Sequence, residues 1–215
     1  VKTPTRTVVH LLRHGEVHNP EGVLYGQLVG FHLSDLGHEM ARVVANHLAD
    51  HDVTQVVASS LQRAQETATP VAEAHGIPIT TDDRVIEAAN VFEGVRVAGM
   101  TPRAFVHPRH WSKLTNPLRP SWGEPYAEIA QRMAAAIDDV RAAARGHEAV
   151  IVSHQLPIWT VRNALMGKRL WHDPRKRECR LASLTTLTYL GDDLTSVTYS
   201  EPAAGLLAQS VGGTR

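Results

Sequence analysis

Thr7-Val8-Val9-His10-Leu11-Leu12-Arg13-His14-Gly15-Glu16 is the stretch whose reading decides the fold. Its first six residues are apolar or β-branched around one histidine, which predicts a buried strand. The residues after it are polar and turn-forming, so the strand delivers an arginine and a histidine at its carboxyl end. The same pattern recurs twice further along. Gln55-Val56-Val57-Ala58 runs into Ser59-Ser60-Leu61-Gln62-Arg63-Ala64, and Ala149-Val150-Ile151-Val152 runs into Ser153-His154-Gln155. Helical spacing fills the intervals. Leu36, Met40, Val43, Val44, His47 and Leu48 follow Ser34, a plausible cap. Leu61 to Ala74 reads as a helix that stops before Gly76 and Pro78. Tyr126, Ile129, Ala130, Met133, Ile137, Val140 and Ala144 form a long stripe, and Leu156 to Met166 a helix ended by Gly167. Ile77-Pro78-Ile79-Thr80 predicts a short edge strand, where proline is tolerated. Leu184 to Leu190 and Ser196 to Tyr199 predict a hairpin around Gly191-Asp192-Asp193. Strands alternating with helices imply an α/β fold, a three-layer sandwich whose mainly parallel central sheet carries helices on both faces.

Composition sets the outer bounds. A chain of 215 residues with 43% hydrophobic and 20% charged residues fits one globular domain with a sizeable core. The domain is expected over residues 1–200. It includes an Arg- and Pro-rich excursion at about 90–122 that crosses the top of the sheet, and residues 201–215 are expected to fray. Lys and Arg number 22 and so do Asp and Glu, giving zero net charge and no electrostatic case for nucleic acid as a partner. No apolar run reaches the length of a membrane span, and the first residues lack the apolar stretch of a signal peptide, so a cytoplasmic protein is expected. The one cysteine, Cys179, excludes an internal disulfide and a Cys-based zinc cluster. Thirteen histidines are an excess that metal binding could explain, but His-Glu-x-x-His is absent, and His107 with His110 is weak support. Arg175-Lys176-Arg177 reads as a solvated basic face, Cys179 as a buried small residue, and the four tryptophans as core or interface.

Open α/β sheets bind ligands beyond the carboxyl ends of their strands. The three strong strands therefore bring Arg13, His14, Arg63 and His154 to one edge. Arginine presents a fork of donors matched to phosphate oxygens, and a neutral imidazole is a nucleophile. Two arginines and a second histidine would neutralise a transferring phosphoryl group. Gly15 lets the backbone approach closely. The pattern reads as phosphoryl transfer through phosphohistidine with no cofactor and no metal in the site.

At these residues the chain resembles the histidine phosphatase superfamily, the phosphoglycerate-mutase-like proteins. Leu12-Arg13-His14-Gly15-Glu16 matches the family's Arg-His-Gly motif. Ser59-Ser60-Leu61-Gln62-Arg63-Ala64-Gln65-Glu66-Thr67-Ala68 and Val152-Ser153-His154 match its second and third. Gly30 to Gly37 and Gly123-Glu124 resemble the stretches opening the first and the long helix. The resemblance implies that His14 is the phosphorylated nucleophile, that Arg13 and Arg63 hold phosphate, and that His154 stabilises the transferring group. It makes Glu87, ahead of Phe92-Glu93-Gly94, the proton donor, with Glu93 as runner-up. A raised carboxyl pKa beside phosphate is expected only if the donor is desolvated. Asn19 and Gln155 are candidate substrate contacts. Asn19 stands five residues after the nucleophile where the family often has six, and Gln155 replaces a frequent glycine, leaving its backbone N–H. Glu87 is followed by Ala88-Ala89-Asn90 rather than by the arginine of the glycolytic mutases, which argues for the phosphatase branch.

The expected function is metal-independent hydrolysis of a small phosphomonoester. The alternatives are a mutase that returns the phosphoryl group to bound product, a non-catalytic phospho-ligand module, and a metal-binding protein. The identity of the ester and the oligomeric state are not legible in the sequence.

Overall fold

The computed structural model describes residues 4–96 and 123–210. Six strands form one sheet, in the spatial order β3-β2-β4-β1-β5-β6. They are β1 (Arg6–Arg13), β2 (Val53–Ala58), β3 (Ile79–Thr81), β4 (Glu148–Ser153), β5 (Leu184–Leu190) and β6 (Asp193–Ser200). The first four in that spatial row run parallel, while β5 and β6 add an antiparallel hairpin beside β1. Among the described residues, four helices cover it: α1 (Asp35–Leu48), α2 (Gln62–His75), α3 (Tyr126–Ala143) and α4 (Gln155–Leu165).

Side-chain alternation sorts the two faces. On β4, Ala149 and Ile151 join the core under α3 and α4, whereas Val150 and Val152 join the core under α1 and α2. Both faces are covered, so β4 is apolar from Ala149 to Val152 and five of its six residues are buried. The stripe of α3 buries Ile129, Met133, Ala136, Ile137 and Val140, each contributing about 1–3 kcal/mol according to size.

The helix boundaries follow local chemistry. Ser34 caps α1, its side chain accepting from Gly37 N at 3.0 Å. Gly76 ends α2 in the left-handed conformation (φ 65°), which a residue with a Cβ adopts at a cost. Pro70 lies inside α2 and removes one backbone donor there.

Connectivity creates the crevice. The chain leaves β1 toward α1 on one face and leaves the neighbouring strand β4 into α4 on the other. That divergence opens a gap at the carboxyl ends of β1 and β4.

The expected excursion is described only at its start. Phe92 to Val95 turns back on itself, Val95 O accepts from Leu24 N at 2.9 Å, and Asn90 bridges to Gly123. His107, His110, Trp111, Trp122 and the arginines Arg103, Arg109 and Arg119 lie outside the described residues, whereas Arg96 pairs with Glu21. The end differs from expectation over 204–209: a 3-10 turn forms there, and Leu206 and Leu207 pack against the α1/α2 core beside buried Ala203. Apolar side chains in a polar-looking tail anchor it.

Candidate active site

β1 and β4 place the two histidines side by side. Arg13 pairs in register with Ser153, and the next residues on each strand are His14 and His154. His14 N donates to Ser153 O at 3.1 Å, and the imidazole centroids are 5.1 Å apart. Both side chains are almost wholly buried. Gly15 lets this turn press on α1: a Cβ there would lie 2.6 Å from Gly37 O, and one on Gly37 would lie 2.1 Å from Glu16 O. Ser34 completes the clamp, donating to the Glu16 carboxylate at 2.6 Å.

Arg63 arrives from the first turn of α2 and is fully buried. Thr67, one turn later, donates to Arg63 O at 2.6 Å and accepts from Gly15 N at 3.1 Å, fixing α2 to the turn that carries His14. One Arg63 amino group donates to Gly26 O at 2.6 Å, and the guanidinium stands 4.7 Å over the Tyr25 ring. Arg13 donates to Cys179 O at 2.6 Å. Among the described residues, buried Arg13 Nε, Arg63 Nε, Arg63 Nη1 and His154 Nδ1 have no hydrogen-bond partner. Buried donors without acceptors are costly, and an anion bound among them removes that cost.

The hydrogen bonds assign protons. His14 Nδ1 lies 2.8 Å from Gly15 O, which only accepts, so Nδ1 carries the hydrogen and the lone pair is on Nε2. His154 Nε2 lies 2.7 Å from Ser59 Oγ. When the Ser59 hydroxyl donates there, His154 Nδ1 carries a hydrogen and is a free donor. Burial first, then Arg63 and Arg13, hold the His14 pKa well below an ordinary imidazole's. Burial, the neighbouring His14 and the two arginines do the same for His154. Both shifts favour the neutral imidazole.

Glu87 reaches the site by a separate route. After β3, Asp82 caps a 3-10 turn (Asp83–Val85) by accepting from Arg84 N at 2.8 Å. Ser153 Oγ donates to Val85 O at 2.6 Å, which ties this segment to the end of β4. Arg132 of α3 donates to Arg84 O at 2.6 Å and to both oxygens of Glu124. Desolvation raises the Glu87 pKa, against the Ala88 N–H, Arg63, Arg13 and Arg177, which pull it down. Desolvation is thus the cause that favours the protonated carboxyl here.

The runner-up Glu93 is differently engaged. Its Oε1 accepts from Gln27 N and Asn90 N, both at 3.1 Å, and it packs against Gly26. Asn19 spends its carboxamide on its own loop, donating to Val23 O at 2.8 Å and accepting from Val23 N at 3.0 Å. Gln155 turns its side chain to Cys179 O at 3.3 Å, the carbonyl that Arg13 also uses.

Two participants escaped the sequence reading. Arg177 is no solvated face. Unlike exposed Arg175 and Lys176 it is partly buried, its Nε donates to His172 Nε2 at 2.7 Å, and its charge acts on Glu87 and Arg13. Tyr25, which supports Arg63, also meets His14 edge-on with centroids 6.5 Å apart. Neither carries a local signal, since a basic tripeptide and a lone tyrosine acquire meaning only from the tertiary fold. Cys179 is buried as expected, and burial pushes its thiol up to about 11.

The family model described as histidine phosphatase superfamily (branch 1) matches residues 9–202. Uncharacterized protein Rv0525 of Mycobacterium tuberculosis is 58% identical over 201 residues, covering 94% of this chain and 99% of that one. A Yersinia pestis protein named Probable phosphoglycerate mutase GpmB is 30% identical over 183 residues, 84% of each chain. The solved structure of the mycobacterial glucosyl-3-phosphoglycerate phosphatase Rv2419c has a TM-score of 0.69 at 24% identity, covering 91% of this chain and 96% of its own, which is a likeness of fold.

Proposed function

Because the chain belongs to the histidine phosphatase superfamily, we propose that it is a hydrolase of small phosphomonoesters that works through a phosphohistidine on His14. Membership carries the coarse chemistry, phosphoryl transfer or hydrolysis through a histidine. The observation that carries the finer reading is His14 with Nδ1 turned to Gly15 O and its Nε2 left without a partner among the described residues, beside donors on Arg13, Arg63 and His154 that are unpartnered there too.

The proposed cycle has two steps. The arginine donors hold the phosphoryl oxygens while His14 Nε2 attacks phosphorus in line. The bond to the ester oxygen breaks as Glu87 transfers its proton to that oxygen. Water then attacks the phosphohistidine, the Glu87 carboxylate takes the water's proton, and the N–P bond breaks to release phosphate. Charge on the transferring group is met by Arg13, Arg63 and the His154 N–H. The absence of an arginine directly after Glu87 supports hydrolysis over the mutase reading, which the name of the Yersinia relative keeps as the second one.

Release of inorganic phosphate from a phosphomonoester panel tests the proposal, together with acid-stable or acid-labile labelling of His14. Acid-labile label on His14 and free phosphate are expected, and both should survive chelation. Isomerised product without phosphate would make the protein a mutase. Anion binding without turnover on any ester would make it a binding module.

A further inference from the structure

We propose that His10, His51 and Glu148 form a binding site for one divalent transition-metal ion of the zinc class, separate from the phosphoryl site. Three segments distant in sequence supply these residues. His10 lies in β1, His51 just beyond α1, and Glu148 opens β4. Glu148 Oε2 stands 2.8 Å from His10 Nε2 and 2.8 Å from His51 Nδ1, and the three ligand atoms lie within 4.8 Å of one another. His154 follows the other end of β4, about 20 Å of strand away, so the two sites are at opposite ends of the sheet.

The ligand chemistry selects the ion. Two imidazoles and one carboxylate suit zinc, cobalt or nickel, and the all-oxygen set preferred by calcium and magnesium is missing. A tetrahedral ion with bonds near 2.0–2.2 Å holds neighbouring ligand atoms about 3.3 Å apart. The Glu148 contacts must therefore open by about 0.5 Å, and the His51 side chain, 36% exposed, has room to turn. His51 also gives the fourth position access to water.

A second observation points to a metal rather than to a simple hydrogen-bonded knot. His10 Nδ1 lies 2.9 Å from Thr186 Oγ1 on β5, and the His10 side chain is only 5% exposed. Ligating histidines are characteristically oriented by such an oxygen at the far ring nitrogen. With a metal on Nε2, the His10 proton resides on Nδ1 and Thr186 Oγ1 accepts it. Arg6 competes weakly: it is 3.8 Å from Glu148 Oε1 and 63% exposed, so it can swing into solvent. The site would staple β1, β4 and the end of α1 together. It gives part of the histidine excess a role that the phosphoryl chemistry does not use.

The test reads binding, so its outcome is independent of whether the protein hydrolyses phosphomonoesters. The purified chain is stripped with chelator and titrated with cobalt(II), following visible absorption and thermal unfolding. One equivalent should produce the intense bands of a tetrahedral cobalt site and raise Tm, and zinc should displace it. His51→Ala and Glu148→Gln should each abolish bands and Tm shift while unfolding cooperatively without metal. If either variant unfolds before titration, the other decides. Absence of the bands in the parent protein, or their persistence in a folded variant, would overturn the assignment.

Discussion

His14 and Glu87 divide the proposed chemistry between a nucleophile and an acid, and substitutions separate them. His14→Ala should abolish both turnover and covalent labelling. Glu87→Gln should slow esters with poor leaving groups by about 10²–10⁴-fold, because it removes general acid catalysis. An activated aryl phosphate, whose oxygen leaves with little protonation, should lose far less. Equal losses on both, read as kcat/KM, would instead indicate damage to binding or folding. Glu93→Gln should weaken the Gly26–Asn90 region without this leaving-group dependence, because Glu93 accepts from two backbone N–H groups. Arg177 bears on the proposed acid. Its positive charge lowers the Glu87 pKa, opposing desolvation. Removing it in Arg177→Ala should raise that pKa further, so the protonated donor persists to higher pH. The alkaline limb of kcat/KM for a poor leaving group should move upward, and an unmoved limb would remove Arg177 from this role.

Elements hold the site through contacts with almost no slack. The turn after β1 lies against the first turn of α1, and a Cβ on Gly37 would sit 2.1 Å from a backbone oxygen. Gly37→Ala should cost about 1–3 kcal/mol, since neither partner is a flexible side-chain end. It should also depress kcat, because the displaced turn carries His14. Denaturant unfolding with kinetics on the same variant checks both, and unchanged stability would show that α1 can shift freely. Much of this layer was legible in the sequence. Ser34 marked the start of α1, Gly76 the end of α2, and the strand runs announced β1, β2 and β4 to within one or two residues at most edges. The placement of Glu87 was legible only by motif resemblance. Its physical cause, Ser153 and Arg132 gripping the carbonyls of Val85 and Arg84, joins residues 48–68 positions apart.

Across the whole molecule, burying two neutral imidazoles links stability to pH. The pKa values of His14 and His154 are depressed in the folded state from 6.5. Below 6.5 the unfolded chain binds protons that the folded chain refuses, so stability falls as pH drops through that value. Glu87 acts in the opposite sense, since its raised folded pKa favours the folded state toward acid. Thermal unfolding on either side of 6.5 should show a loss of Tm on the acid side, reduced in His154→Asn. Vanadate or tungstate should raise Tm at either pH by filling the unpartnered arginine donors. A Tm indifferent to these anions would mean that the donors do not form an anion site.

The sequence by itself determined the alternation of strands and helices, the three strand ends that carry Arg13 and His14, Arg63 and His154, and the family to which their motifs point. These are local facts: periodicity, turn residues and short spacings survive in a linear string. Tertiary structure alone decided what each side chain does with its hydrogen bonds. Asn19 matches a candidate contact yet closes a turn on Val23, while Arg177 sits in an unremarkable basic run yet bears on Glu87. The meeting of His10, His51 and Glu148 likewise depends on the register of β1 with β4 and on where α1 ends. Hydrogen-bond partners, desolvation and charge coupling are properties of distance in space, and residues more than a hundred positions apart acquire them only once the sheet has closed the gap.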